Sequence, residues 1–192
     1  TFSGETWRII SVENDGTIKI MRSESIGNRA WDSSNSNNWA RPATLNTYLN
    51  EEYLPTLSDS DKVVSHNFSI GTVTYNNEDL ATQINNEDEI LWNGKVGLIT
   101  VSEYLRANPN VGQCGNLSLN NTNSEICATT NWITPPNGYL WLISFTLRGN
   151  SFNYRLQNNG WVGDSSHSNA SNGIAPALYL SSDIALSGAG TQ

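Results

Sequence analysis

The chain has 192 residues, 37% of them hydrophobic and only 15% charged, with a net charge of −8. That length suits a single domain, residues 1–192, able to bury roughly 70% of the surface its unfolded chain would expose. The apolar content is too high for a disordered chain, and an acidic balance with no basic cluster argues against nucleic acid or an anionic membrane as partner.

No apolar run approaches the roughly 18 residues that a membrane span needs, so this segment is not expected to insert into a bilayer. The start, Thr1-Phe-Ser-Gly-Glu-Thr-Trp-Arg-Ile-Ile, lies almost directly inside a strand, as in an excised fragment whose anchor or export signal lies upstream.

Trp7-Arg-Ile-Ile-Ser-Val12 and Thr17-Ile-Lys-Ile-Met-Arg22 flank Asn14-Asp15-Gly16, a hairpin signal. Alternation of Ile18 and Ile20 with Lys19 and Met21 predicts a strand with one buried face. Residues 23–38 read as loop, with Trp31 and Trp39 bracketing an Asp-Ser-Ser-Asn-Ser-Asn-Asn tract. A helix is predicted next. Pro42 suits its first position, Leu45, Tyr48, Leu49 and Tyr53 share one face, and Pro55 ends it.

Ser58 with Asp61 suggests a cap on a short helical turn, after which Val63 to Ile70 becomes strand-like. Tyr75 to Asn93 is polar and acidic and reads as a surface excursion. Lys95-Val-Gly-Leu-Ile99 reads as a buried strand, and Thr100-Val-Ser-Glu103 as a capping box opening a helix from Val101 to Arg106.

Cys114 and Cys127, the only cysteines, flank a loop rich in Asn and Ser. Joined, they would stabilise by about 3 kcal/mol in the chain-entropy model, and a disulfide implies an extracytoplasmic setting. Two free thiols are the alternative; a metal site lacks four ligands at suitable spacing. Beyond the cysteines only β-like runs and turns are expected. The fold class is α+β, with short antiparallel strands and hairpins, two to three short helices and long C-terminal loops.

The chemistry of catalysis is thin. Gly-x-Ser-x-Gly does not occur, and the two histidines fall at His66, read as a strand residue, and His167, in a polar segment. The acidic pairs Glu51/Glu52, Asp59/Asp61 and Glu87/Asp88/Glu89 fall at helix ends or in an acidic loop, where charge supports capping and solubility. Asp15, Asp164 and the Glu87 cluster offer calcium its oxygens but without an EF-hand spacing. No cofactor, metal site or catalytic residue is assigned.

Residues 148–173 carry aromatic and small polar residues between two strand-like runs, the mix that recognition loops favour. They read as a displayed binding surface, with Arg148, Phe152, Tyr154, Arg155, Trp161, Asp164 and His167 as its contacts. Trp7, Trp39, Trp92, Trp132 and Trp141 sit beside strand or helix signals and read as core. For Trp161, an exposed anchor and a ring packed under the loop are equally consistent readings.

Several stretches combine into a pattern. They are Trp7-Arg-Ile-Ile, Ser25-Ile-Gly-Asn-Arg-Ala-Trp31, Asn38-Trp39, Leu45-Asn-Thr-Tyr-Leu-Asn50 and Trp92-Asn-Gly-Lys-Val-Gly-Leu98. Later come Asn131-Trp132, Trp141-Leu-Ile-Ser144 and Ala175-Pro-Ala-Leu-Tyr-Leu-Ser-Ser-Asp183. Together they resemble an uncharacterised domain family of Gram-positive surface proteins, some of which follow a prepilin-type helix of the type IV pilin kind.

The layout is also similar to the C-type-lectin-like fold in its formylglycine-generating-enzyme variant, which the variable proteins of diversity-generating retroelements use. In those proteins mutated adenines turn Asn codons into codons for Phe, Tyr, Ser, Asp, His, Arg, Leu, Ala or Gly. The mix from Phe152 to Asn172 is compatible with such a history, with Phe152, Tyr154 and Trp161 as the residues selected. This chain departs from the family's pattern in having Phe145 in place of Pro and Ala175 in place of Arg. It also lacks the Glu-Pro-Asn or Gln-Pro-Asp signature of calcium-dependent sugar binding and the catalytic cysteine pair of the formylglycine-generating enzymes.

The resemblance implies a non-enzymatic domain displayed on the cell surface or a pilus, binding a host or bacterial surface protein or a glycan. One alternative is a pilin head that packs only against neighbouring pilin subunits. Another is a glycan-acting enzyme using Glu51, Asp61 and Asp164.

Overall fold

The computed structural model describes residues 1–73, 79–114, 125–135 and 137–184, and of residues 111, 112, 125, 164 and 165 only the backbone. In chain order the first strands are β1 (Trp7–Val12), β2 (Ile18–Arg22), β3 (Asn28–Ala30), β4 (Val63–Val64), β5 (His66–Ser69), β6 (Leu91–Gly94) and β7 (Val96–Gly97). The later ones are β8 (Tyr139–Phe145), β9 (Phe152–Gln157), β10 (Val162–His167), β11 (Ser171–Gly173) and β12 (Ala177–Leu180). Five α-helical segments are present among the described residues: α1 (Thr44–Thr47), α2 (Leu80–Asp88), α3 (Val101–Arg106), α4 (Val111–Cys114) and α5 (Glu125–Thr130). The fold is therefore α+β and sheet-rich, with more short helices than the two to three expected.

The β1–β2 hairpin forms as predicted, with Asp15 accepting from the Thr17 N–H across the turn and Gly16 at φ +84°. β2 differs from expectation in being buried along Ile18, Lys19, Ile20 and Met21 alike. β12 closes its other edge in antiparallel register, and β12 in turn pairs β4 and β7. This five-stranded sheet thus joins the two ends of the described chain.

A second five-stranded sheet runs β10-β9-β8-β11-β3. All its pairings are antiparallel except β11 with β8, which meet in parallel at Gly173 and Leu140. β5 and β6 make a separate two-stranded ribbon. The core lies between Trp31, Trp39, Leu45, Leu49 and Trp141 on one side and Ile20, Phe68 and Leu178 on the other. A second cluster gathers Leu105, Ile133, Tyr154, Leu156 and Val162.

α1 begins after Ala43, one residue beyond Pro42, and continues as a π-helix over Tyr48–Tyr53 and a 3₁₀ turn over Leu54–Thr56. Leu45, Leu49 and Tyr53 form its buried stripe, as predicted, while Tyr48 is only half-buried. The Thr100/Glu103 capping box is present in full: Glu103 N–H donates to Thr100 Oγ1 at 3.0 Å, and Thr100 N–H to Glu103 Oε2 at 2.9 Å. The Ser58/Asp61 cap is not formed. Its turn is a 3₁₀ segment over Ser60–Lys62 without a side-chain cap.

The stretch read as a surface excursion holds α2 and β6; residues 74–78 within it lie outside the described part. Asp79 caps α2 by accepting from the Thr82 N–H at 2.8 Å. The buried side chains of α2 are Leu80, Gln83 and Glu87, so its inner face is largely polar. The segment beyond Cys127 is likewise not all β: α5 carries that cysteine. The loop read over residues 23–38 contains β3, and Trp31 is fully buried. Trp39 and Trp141 are core residues as expected, whereas Trp7, Trp92 and Trp132 are only half-buried.

Candidate functional site

The segment read as a long recognition loop is mostly sheet. β9 is the central strand of a three-strand meander, paired to β8 on one side and β10 on the other. Along β9 the pleat buries Tyr154 and Leu156 and turns Arg155 and Gln157 outward, since alternate side chains point to opposite faces. Bulges interrupt both pairings, between Gly163 and Ser166 and between Trp141 and Phe145. The extra residues belong to β10 and β8, and Asn153 of β9 is buried next to a half-exposed Phe152.

Two ring contacts lie on this meander, one on each face of β9, since Phe152 and Arg155 are three residues apart. Phe152 and His167 are direct cross-strand partners, with ring centroids 4.3 Å apart. The Arg155 guanidinium lies 3.9 Å from the centroid of the Tyr139 ring, a cation–π pair at the surface. Arg148 is exposed in the β8–β9 connection.

Tyr154 must be removed from the set of contacts. It is 1% exposed, and its hydroxyl donates to the Val73 carbonyl at 2.8 Å, so it belongs to the core beneath the face. Asp164 lies in β10, but its side chain falls outside the described part. His167, expected in a loop, is the last residue of β10 and is exposed.

Trp161 is 43% exposed in the β9–β10 turn, which resolves its two readings toward a displayed ring. The turn is held from below. Gly160 has φ +81°, and a Cβ placed there would come within 1.9 Å of the Ala128 carbonyl oxygen. Only glycine fits both the left-handed backbone and that approach. Tyr104 Oη donates to the Gly160 carbonyl at 2.6 Å. Ala128 belongs to α5, which is fastened by the Cys114–Cys127 disulfide and by Asn108 Nδ2 donating to Cys127 O at 2.6 Å. The disulfide inferred from sequence therefore backs the turn that displays Trp161.

A neighbouring element was not anticipated. The Asn/Ser tract after Trp31 docks against the β8–β9 connection. Asn37 Nδ2 donates to the carbonyls of Gly149 at 2.9 Å and Phe152 at 3.2 Å, and Asn37 N–H to Asn150 O at 2.9 Å. Asp32 fixes the start of the tract by accepting from Ser34 Oγ, Ser36 N–H, Thr44 N–H and Thr44 Oγ1; burial pushes its carboxyl up, but these hydrogen bonds outweigh it and hold the carboxyl below the usual range. Between this tract and Ile70, Ile90, Phe145 and Asn150 lies an open cavity of about 830 Å³. Trp39 lines it, and its buried indole N–H has no acceptor among the described residues. Such an orphan costs about 1–3 kcal/mol. The only sequence signal was the placement of the Asn-rich tract between two tryptophans.

The ionisable groups elsewhere serve the fold. Glu87, expected in a solvated loop, is 2% exposed, and burial pushes its carboxyl up to about 7. Its oxygens accept from Val101 N–H at 3.0 Å, Ser102 N–H at 3.2 Å and Ser144 Oγ at 2.5 Å, so it ties α2 to the start of α3. Lys19 is buried 2.6 Å from Glu103 Oε1, between the rings of Phe68 and Tyr179. Burial opposes its charge, but the Glu103 carboxylate and the Tyr179 hydroxyl outweigh it and raise the lysine's pKa. His66 lies in β5 as expected, stacked on Tyr179 at 3.9 Å with Nε2 3.6 Å from Asp15 Oδ2. Glu51 and Asp61 are exposed on separate elements. Among the described residues no group of three or more His, Cys, Asp or Glu side chains gathers, and no helix is long and apolar enough to cross a membrane.

No protein-family model matches the chain, no curated protein sequence matches it, and no solved structure matches its fold.

Proposed function

We propose that this chain is an extracellular ligand-binding domain of the bacterial surface or a pilus, and that the exposed side chains of the β8–β9–β10 meander and its turn form its contact surface. The observation that carries the reading is the full or partial exposure of Phe152, Arg155, Trp161 and His167 along one meander that is anchored by buried Tyr154, Leu156 and Val162. Rings and a guanidinium held on strands lose little entropy when they meet a partner, which makes them efficient anchors. The disulfide under Trp161 supports an oxidising setting. The face is broad rather than pocketed, which suits a surface protein or a glycan polymer.

The C-type-lectin-like arrangement is part of the same proposal. Pairing of β12 with β2, which brings both ends of the described chain into one sheet, supports it. So does the concentration of exposed polar and aromatic residues in the second sheet. If the segment has been diversified by a retroelement, the changes should fall on outward positions such as Phe152, Arg155 and His167, not on Tyr154 or Asn153.

The test uses the domain on a glycan array and on immobilised mucin. The wild type should bind at least one of these, and a folded Phe152→Ala/Arg155→Ala/Trp161→Ala variant should lose the signal. Undiminished binding by that variant would remove the face from consideration. A filament reconstruction with Trp161 covered by an adjacent subunit would instead favour the pilin-head reading.

A further inference from the structure

We propose that the cavity beside the face, walled by residues 34–41 and closed by Ile90, Phe145 and Asn150, is a binding site for a neutral oligosaccharide. The inference rests on the reading of the chain as an extracellular ligand-binding domain, and adds to the flat face a second, concave site. Its volume, about 830 Å³, is within the range of small-molecule sites.

The lining has the chemistry of a sugar. A neutral sugar presents hydroxyls, each both donor and acceptor, around apolar C–H faces. Carboxamides and hydroxyls are the side chains that can likewise donate and accept. Here they come from Ser34, Ser36, Asn38 and Asn150, above an apolar floor of Ile70, Ile90 and Phe145. Among the described residues no carboxylate lines the cavity, and Arg41 is the single charge.

The hydrogen-bonding capacity of the loop is divided in a telling way. Asp32, Asn35 and Asn37 are spent on holding the loop in place, with Asn35 Oδ1 accepting from the Asn169 N–H at 3.3 Å. The side chains of Asn38, Arg41 and Asn150 make no hydrogen bond among the described residues, and the Trp39 indole N–H is buried without an acceptor. A loop fixed in shape with its remaining donors unspent is preorganised for a polar ligand, because little ordering remains to be done on binding. Solvated surface amides alone would explain Asn38 and Asn150. They do not explain a tryptophan buried in the same wall with an orphan donor.

The experiment is a ¹H–¹⁵N titration of the labelled domain with cellotriose, maltotriose and mannotriose. At least one should shift the side-chain amides of Asn38 and Asn150 and the Trp39 indole resonance in a saturable way, with a dissociation constant of about 1 mM or tighter. An Asn38→Ala/Arg41→Ala variant, changed only at exposed positions, should bind about tenfold more weakly, and Trp39→Phe, which keeps a ring but removes the N–H, about fivefold. The face variant Phe152→Ala/Arg155→Ala/Trp161→Ala should bind these trisaccharides like wild type. Absence of shifts with all three sugars, or shifts unchanged in both cavity variants, would overturn the site. Shifts confined to Phe152, His167 and Trp161 would overturn it too, yet leave the face reading standing. Loss of array and mucin binding with an intact cavity titration would do the reverse.

Discussion

Two polar regions of this molecule are built on opposite principles. In the interior, around α3, Glu87 and Lys19 are buried and Glu103 is largely so, and each has its partners: backbone N–H groups, the Ser144 hydroxyl, or one another. On the β8–β9–β10 meander and in the adjoining cavity, Phe152, Trp161, Asn38 and Arg41 are accessible, and the Trp39 N–H has no acceptor among the described residues. Perturbed ionisable groups mark active sites often enough to draw attention, yet here they mark a structural joint. Where charged groups find their partners internally, little is left for a ligand.

If that contrast is sound, breaking the interior should cost stability, and altering the face should not. The largest effect is expected for Lys19→Met. It strands the Glu103 carboxylate, and removal of one member of a buried ion pair typically costs about 3–5 kcal/mol. Urea denaturation measures this directly. A loss under about 1 kcal/mol would mean that Glu103 reaches water and that the pair is no joint.

Next comes the pH dependence of Glu87. Its carboxyl in the folded protein titrates near 7, above its ordinary value of 4.5, so the folded state holds this proton more tightly than the unfolded state. The contribution of Glu87 to stability is therefore greatest at acid pH and declines as the pH rises from about 4.5 through about 7. The difference in unfolding free energy between wild type and Glu87→Gln should change by about 3 kcal/mol across that window. A difference that stays flat would mean that the folded and unfolded states hold this proton equally and that burial does not perturb the carboxyl.

Gly160→Ala sharpens the boundary between the regions. Its Cβ would meet the Ala128 carbonyl in a backbone conformation that disfavours side chains. A cost of about 1–3 kcal/mol is expected, with a shift in Trp161 fluorescence as the turn lifts from α5. The smallest stability effect belongs to Phe152→Ala, Arg155→Ala and Trp161→Ala, each within about 0.5–1 kcal/mol of wild type by urea denaturation. A larger loss from any of these would assign that side chain to the core.

The sequence displayed what local chemistry encodes. The Asn-Asp-Gly hairpin, the Thr100/Glu103 capping box and the Leu45/Leu49/Tyr53 stripe all depend on neighbours a few residues apart. The pairing of Cys114 with Cys127 spans only 13 residues. α2 was illegible because Gln83 and Glu87 make up most of its buried face, so the apolar period that reveals a helix is missing. Lys19 looked solvent-facing because its partner lies 84 residues away in sequence.

The candidate site was half legible for the same reason. Composition drew attention to Phe152, Arg155, Trp161 and His167. The pleat that sends Tyr154 inward could be read only once β9 was seen as a strand rather than a loop. The cavity was hidden because Asn37 joins residues 112 and 115 positions away, a contact that no periodicity announces.

The most direct test of the central claim is mucin binding by the Phe152→Ala/Arg155→Ala/Trp161→Ala variant, measured beside Lys19→Met under conditions where both are folded. The expected result is a double dissociation: the face variant keeps the wild-type urea midpoint and loses binding, while Lys19→Met unfolds earlier and binds normally. Normal binding by the face variant, or lost binding by a folded Lys19→Met, would contradict the division between a satisfied interior and a displayed face.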